Sequence, residues 1–136
     1  MGNVNFFKRL FLFSFCQKGF HRFWRIWNPF YGYFLFRLFR FLGGNRNKKI
    51  STILVFFLCG YVLHDLPIYL LFGKMGFVCT FAFLFYGIVS LVTAKFERFF
   101  YFDKNYILKN VSINITLIVI GFVFGTVSSD AILKAI

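Results

Sequence analysis

Three long apolar stretches constrain this chain more than any other feature. Residues 50–72 carry no charge before Asp65, and residues 75–94 and 110–129 carry none at all. Each stretch has the length that an α-helix needs to cross the hydrocarbon core of a bilayer, roughly 20 residues. The pattern therefore predicts an all-α integral membrane protein with about three transmembrane helices, folded as a single membrane-embedded unit over residues 1–136.

The connections between these stretches predict an orientation. Only Gly73 and Lys74 separate the first two spans, which indicates a tight hairpin. The segment 43–49 carries three cations and the aromatic loop 95–109 carries four, so the positive-inside rule places both on the cytoplasmic side and the C-terminus outside. Residues 50–72 have an alternative as a broken or re-entrant element, because Pro67 disfavours helix at Leu66.

The charge balance indicates what kind of partner the chain contacts. Sixteen Lys and Arg stand against four acidic residues, for a net charge of +12, and charged residues make up only 15% of the chain. A soluble domain has about 25% charged residues, so this composition excludes most soluble folds. The basic residues before position 50 are interleaved with Phe, Leu and Trp. We therefore expect a bilayer with anionic head groups, and no nucleic acid, as the partner.

The basic aromatic region 1–49 predicts helices that lie in the interface or enter the membrane only partway. On a helical projection the polar side chains share one face and Phe20, Phe23, Trp24 and Trp27 take the other; the polar set is Lys18, His21, Arg22, Arg25 and Asn28. Pro29 ends this first helix, and residues 31–42 form a second interfacial or re-entrant segment. The cationic face has two interpretations, phosphate binding or snorkelling into the head groups.

His64 is the strongest candidate for a catalytic side chain. It follows an uncharged run within the first span, and ionisable groups at membrane depth commonly mark function. A neutral imidazole can accept a proton from a hydroxyl near neutral pH, which makes His64 a candidate general base. The alternative is a His64–Asp65 pair that simply ends the helix at the far interface.

Several short motifs occur in an order that resembles a known family. These are Phe23-Trp24-Arg25-Ile26-Trp27-Asn28, then Leu42-Gly43-Gly44-Asn45-Arg46, then an apolar run ending in Leu63-His64. The order is similar to that of the membrane-bound O-acyltransferase family, particularly its bacterial branch of alginate O-acetylases and D-alanyl transfer proteins. Leu63 and Asp65 stand where the family usually has Trp and Gly.

The resemblance implies a function and a set of site residues. It implies acyl transfer from a thioester donor, an acyl-CoA or acyl-carrier protein, to a hydroxyl of an envelope polysaccharide, lipid or protein, with no bound cofactor. The bacterial branch also implies that the protein lies in the bacterial inner membrane. His64 would be the catalytic base and Asn28 its polar partner, while the substrate- or donor-binding set would be Arg25, Gly43, Gly44, Asn45 and Arg46.

The resemblance covers the C-terminal part of a family whose members are several hundred residues long. A non-catalytic accessory subunit or a truncated remnant is therefore the alternative, with a second membrane chain as a possible source of further helices. Cys16, Cys59 and Cys79 show no metal or disulfide spacing, so we expect neither. Gly121 and Gly125 fit a close-packing motif, but glycine is also common in membrane helices.

Overall fold

The computed structural model describes residues 12–17, 19–27, 29–74, 76–96 and 106–135. No strand occurs in this part of the chain, and the all-α prediction is confirmed. A helical turn within residues 12–17 precedes five helices: α1 (Phe20–Trp27), α2 (Pro29–Phe41), α3 (Lys48–Phe72), α4 (Val78–Lys95) and α5 (Tyr106–Ala135).

The three predicted spans correspond to α3, α4 and α5, which are long and apolar enough to cross a membrane. Several boundaries differ from the prediction. Helix α4 begins at Val78 rather than at position 75, and α5 extends from Tyr106 to Ala135, well beyond 110–129 at both ends. The apolar run alone could not show these ends, because polar residues such as Lys109 and Asp130 continue the helix without interrupting its backbone hydrogen bonds.

Helix α3 is continuous from Lys48 to Phe72. The alternative of a broken or re-entrant element at Pro67 is therefore wrong. The helix instead widens into a π-turn at Tyr61–Asp65 and returns to α-helix at Leu66. A proline has no N–H and its ring clashes with the carbonyl four residues earlier, here that of Leu63. The π-turn includes Leu63 and gives that carbonyl room while the helix continues.

Helix α4 is the centre of the bundle. It packs against α3, α5 and α1, and 39% of its span is buried inside the chain, against 22% for α3 and 17% for α5. Glycines allow the close approach of α5 to α4: Gly121 faces the ring of Tyr86, and Gly125 faces the backbone at Val78 and Ala82. The close-packing interpretation of these two glycines is therefore the one that the structure shows.

The N-terminal region forms two helices, as predicted, with α1 ending just before Pro29. The aromatic side of α1 packs against protein. Phe20 and Phe23 are completely buried, and Phe20 and Trp24 contact the ring of Tyr86 on α4 at centroid distances of 5.5 and 5.4 Å. The hydrophobic face that the sequence indicated is thus used for docking onto the bundle.

Candidate functional site

His64 lies in the π-turn of α3, and the turn determines how its ring is held. The Nδ1 atom lies 2.9 Å from the carbonyl oxygen of Cys59, five residues earlier. The ring packs on Phe83 of α4, with 4.8 Å between ring centroids and 36° between ring planes. Two contacts on different helices therefore orient the half-buried imidazole.

The contact with Cys59 determines which nitrogen of His64 carries the hydrogen in the neutral ring. A carbonyl oxygen can only accept, so Nδ1 is the donor and Nε2 has a free lone pair. Among the described residues no hydrogen bond reaches Nε2. A neutral imidazole with Nδ1 bound to a backbone carbonyl and Nε2 available is the form that a general base requires.

Asp65 does not pair with His64, although it is next in sequence. Its carboxylate is buried and accepts three hydrogen bonds at the start of α4: from the Cys79 amide at 3.1 Å, the Thr80 amide at 2.6 Å and the Thr80 hydroxyl at 2.6 Å. It therefore caps α4 from a neighbouring helix. The positive end of the α4 helix dipole also stabilises the negative charge of this carboxylate. The alternative of a His64–Asp65 pair at the helix end is not what the structure shows.

The start of α4 needs such a cap because it is recessed between its neighbours. After Asp65, α3 continues to Phe72, roughly 10 Å further along its axis. On the other side the buried Ser129 of α5 accepts a hydrogen bond from the Phe77 amide at 3.0 Å, and α5 then continues to Ala135. Unsatisfied amides are costly in a bilayer, and side chains from two other spans satisfy these.

A cleft of about 590 Å³ opens beside this site, between α1, α2, α3 and α4. Phe83 and Cys59 form part of its wall, so His64 lies directly behind the lining. Arg25, predicted to bind substrate or donor, lines the same cleft and is exposed. Asn28, the predicted polar partner of His64, lies outside the described residues.

The turn 43–46 was predicted to bind substrate or donor. Its glycines are explained by the way in which the turn ends α2. Gly43 has a left-handed φ of 81°, its amide donates to the Arg40 carbonyl, and the Gly44 amide donates to the Phe39 carbonyl. This is the Schellman ending of a helix, which favours glycine at the left-handed position. Gly44 lies so close to the Phe39 ring that a Cβ there would collide with it.

The same turn also starts α3, and it lies far from His64. The Asn47 side chain accepts a hydrogen bond from the Ile50 amide as the N-cap of α3. The carbonyl of Gly43 accepts from the amides of Arg46 and Asn47. His64 follows Lys48 by 16 residues, roughly 24 Å along the helix. Asn45 and Arg46 are exposed in this turn, so the structure does not bring Gly43, Gly44, Asn45 and Arg46 together with His64.

Two asparagines that the sequence did not single out as structural hold the N-terminal turn on α5. Asn114 is almost fully buried, and its amide nitrogen donates to the carbonyls of Phe15 and Gln17 at 2.8 and 3.2 Å. Asn110 donates to the carbonyl of Cys16 at 3.3 Å. Their spacing of four residues on a helix was the available signal, since it places both amides on one face.

Comparison of the chain with protein-family models, curated proteins and solved structures finds no match in any of the three. The functional argument therefore depends on the geometry around His64.

Proposed function

We propose that this protein is a membrane acyltransferase in which His64 is the general base. The observation that supports the proposal is the hydrogen bond from His64 Nδ1 to the Cys59 carbonyl. It leaves Nε2 of the neutral ring as a proton acceptor, inside a span and beside a cleft.

The reaction is transfer of an acyl group from a thioester, an acyl-CoA or an acyl-carrier protein, to a hydroxyl group. His64 Nε2 accepts the hydroxyl proton as the hydroxyl oxygen attacks the thioester carbonyl carbon. The new C–O bond forms, the C–S bond breaks, and the imidazolium returns the proton to the departing thiolate. The hydroxyl belongs to an envelope polysaccharide, lipid or protein.

The membrane and orientation are part of the same proposal. The cationic segment 43–49, which includes the start of α3, faces the cytoplasm of a bacterial plasma membrane, where thioester donors are made. His64 then lies beyond the middle of the hydrocarbon core, which is about 30 Å thick, and the acceptor hydroxyl reaches it from the opposite side.

Thiol release from acetyl-CoA by the purified chain in phospholipid nanodiscs, with an envelope extract as the acceptor source, tests the proposal. We expect acceptor-dependent release by the unaltered chain and a fall of about 10²–10⁴-fold in His64→Ala, the usual contribution of a general base. Tyr61→Phe is the matched control: it removes a hydroxyl from the same π-turn but keeps the stacking of that ring on Phe57, and release should persist.

A second candidate is a non-catalytic accessory subunit. Its supporting observation is the low burial of α3 and α5, which leaves long apolar faces on which helices of a second membrane chain can pack. If thiol release is absent for the chain alone and appears only when a co-purifying membrane protein is present, with no dependence on His64, the accessory function is the correct one.

A further inference from the structure

We propose that the cleft between α1, α2, α3 and α4 binds one anionic phospholipid as a resident ligand, with one acyl chain in the cleft and the phosphate at Arg25. This inference does not depend on acyl transfer by His64. It assigns Arg25 to a lipid phosphate, whereas the resemblance implied a role in binding the thioester donor.

The walls of the cleft are suited to a hydrocarbon chain. Its volume of about 590 Å³ falls within the range of ligand sites in proteins, about 300–1,000 Å³. Most of the lining is aromatic or aliphatic, including Leu35, Phe36, Phe39, Val55, Phe56 and Phe83.

Two buried hydrogen-bond donors in this apolar lining have no partner within the described part of the chain. Ser90 is only 5% exposed and its Oγ makes no hydrogen bond, and the indole Nε1 of Trp24 is likewise buried without an acceptor. Buried polar groups are rarely left in this state, because they lose their hydrogen bonds to water. A ligand that fills the cleft should therefore present acceptor oxygens, as the ester carbonyls of a glycerolipid do.

The charge at the cleft indicates an anion. Arg25 lines the cleft and is exposed, and no carboxylate of the described residues lies within ion-pair distance of it. Asp65, the buried acid of the bundle, is already bonded to the start of α4. A guanidinium pairs well with phosphate through two parallel N–H···O hydrogen bonds.

A bilayer phospholipid is the occupant that combines these features, and it is always present in the membrane around the protein. It carries an apolar chain, ester carbonyls and a phosphate, and the cleft is lined by apolar side chains, by the Ser90 and Trp24 donors and by an exposed arginine. Tyr33 and Phe36 of α2 also line the cleft and are 65% and 57% exposed, so part of its lining is open to the bilayer.

Native mass spectrometry of the detergent-purified full chain, titrated with dioleoylphosphatidylglycerol, tests the site. We expect one tightly bound lipid per chain, weakened about tenfold by Arg25→Gln and about fivefold by Ser90→Ala, the losses of a charged and a neutral hydrogen bond. Ala94→Phe places a ring in the cleft from an exposed position and should prevent binding.

Arg40→Gln is the matched control, because Arg40 is an exposed arginine of α2 that does not line the cleft. It should leave the affinity unchanged, and dioleoylglycerol, which lacks the phosphate, should bind at least tenfold more weakly than the phospholipid. The proposal is overturned if no lipid is retained, if dioleoylglycerol binds equally well, or if Arg25→Gln and Arg40→Gln have the same affinity. Each result is read from binding, so loss of acyl transfer alone would not affect it.

Discussion

At the scale of single residues, His64 and Asp65 show that adjacent polar side chains in a membrane helix can have different partners and different roles. The π-turn directs the imidazole toward the Cys59 carbonyl and Phe83, while the carboxylate meets the amides of Cys79 and Thr80. Sequence adjacency predicted a possible pair, but neighbouring residues on a helix point in different directions. Each side chain therefore has its own test.

His64→Asn separates the structural contact of His64 from its proposed chemistry. The asparagine amide nitrogen occupies nearly the position of Nδ1 and can donate to the Cys59 carbonyl, but it offers no counterpart of Nε2. We expect a thermal midpoint close to that of the unaltered protein and a loss of acyl transfer as large as in His64→Ala. Circular dichroism in detergent and the thiol-release assay measure the two properties; full activity in His64→Asn would rule out the base.

Asp65→Ala tests the cap on α4. The substitution leaves two amides and one hydroxyl without their acceptor, so we expect a loss of roughly 3 kcal/mol in the free energy of unfolding. Asp65→Asn keeps an acceptor oxygen and should lose less. The control is Asp130→Ala on the exposed face of α5, which should change little. Equal stability of Asp65→Ala and Asp130→Ala would contradict the capping role.

At the scale of the elements, the ends and irregularities of the helices follow from glycine and proline. Gly43 adopts the left-handed conformation that ends α2, and Pro67 follows two residues after the widened turn that holds His64. In both places the residue meets a steric requirement of the backbone. The Gly43–Gly44 pair therefore has a structural reason to exist whether or not the turn binds a substrate.

Gly44→Ala tests the close contact that this turn makes with α2. The added methyl group collides with the Phe39 ring, and we expect a destabilisation of about 1–3 kcal/mol, typical of overpacking. Combining it with Phe39→Ala should recover part of that loss because the ring is removed. Gly76→Ala is the control, since a Cβ at Gly76 meets no atom within 4 Å. Gly44→Ala, Phe39→Ala, their combination and Gly76→Ala are compared by thermal unfolding in one detergent; simple additivity of the first two substitutions would argue against the contact.

The elements differ in how far the sequence could predict them. Apolar run length identified α3, α4 and α5, and Pro29 marked the boundary between α1 and α2. The π-turn was not predictable, because Pro67 disfavours a regular helix in several possible ways and only tertiary packing selects one. The roles of Asp65 and Ser129 were equally out of reach, since their partners lie on other elements and a single sequence carries no record of those contacts.

At the scale of the whole molecule, α4 connects the parts of the bundle. Aromatic rings from α1 and α3 converge on Phe83 and Tyr86, and the hydroxyl of Tyr86 donates to the Ile118 carbonyl of α5 at 2.7 Å. Lipid hydrocarbon is as apolar as these side chains, so close packing and interhelical hydrogen bonds stabilise the association.

Gly125→Leu tests the α4–α5 interface. A side chain at this position meets the backbone of α4 at Val78 and Ala82, which cannot move aside as a side chain can. We expect a lower thermal midpoint, with a loss of about 2 kcal/mol or more. Ala131→Leu, an equally large substitution at an exposed position of the same helix, should have little effect. A similar midpoint for the two variants would show that the helices do not pack through Gly125.

The central claim is that His64 is the base of an acyl transfer to an envelope component. The most direct test is the ester-linked acyl content of envelope polysaccharide and lipid in cells lacking the gene, complemented with the intact gene, His64→Asn or Tyr61→Phe at matched membrane levels of protein. We expect the intact gene and Tyr61→Phe to restore the esters and His64→Asn to leave them at the level of the deletion. Equal ester content in all strains, or full restoration by His64→Asn, would contradict the claim.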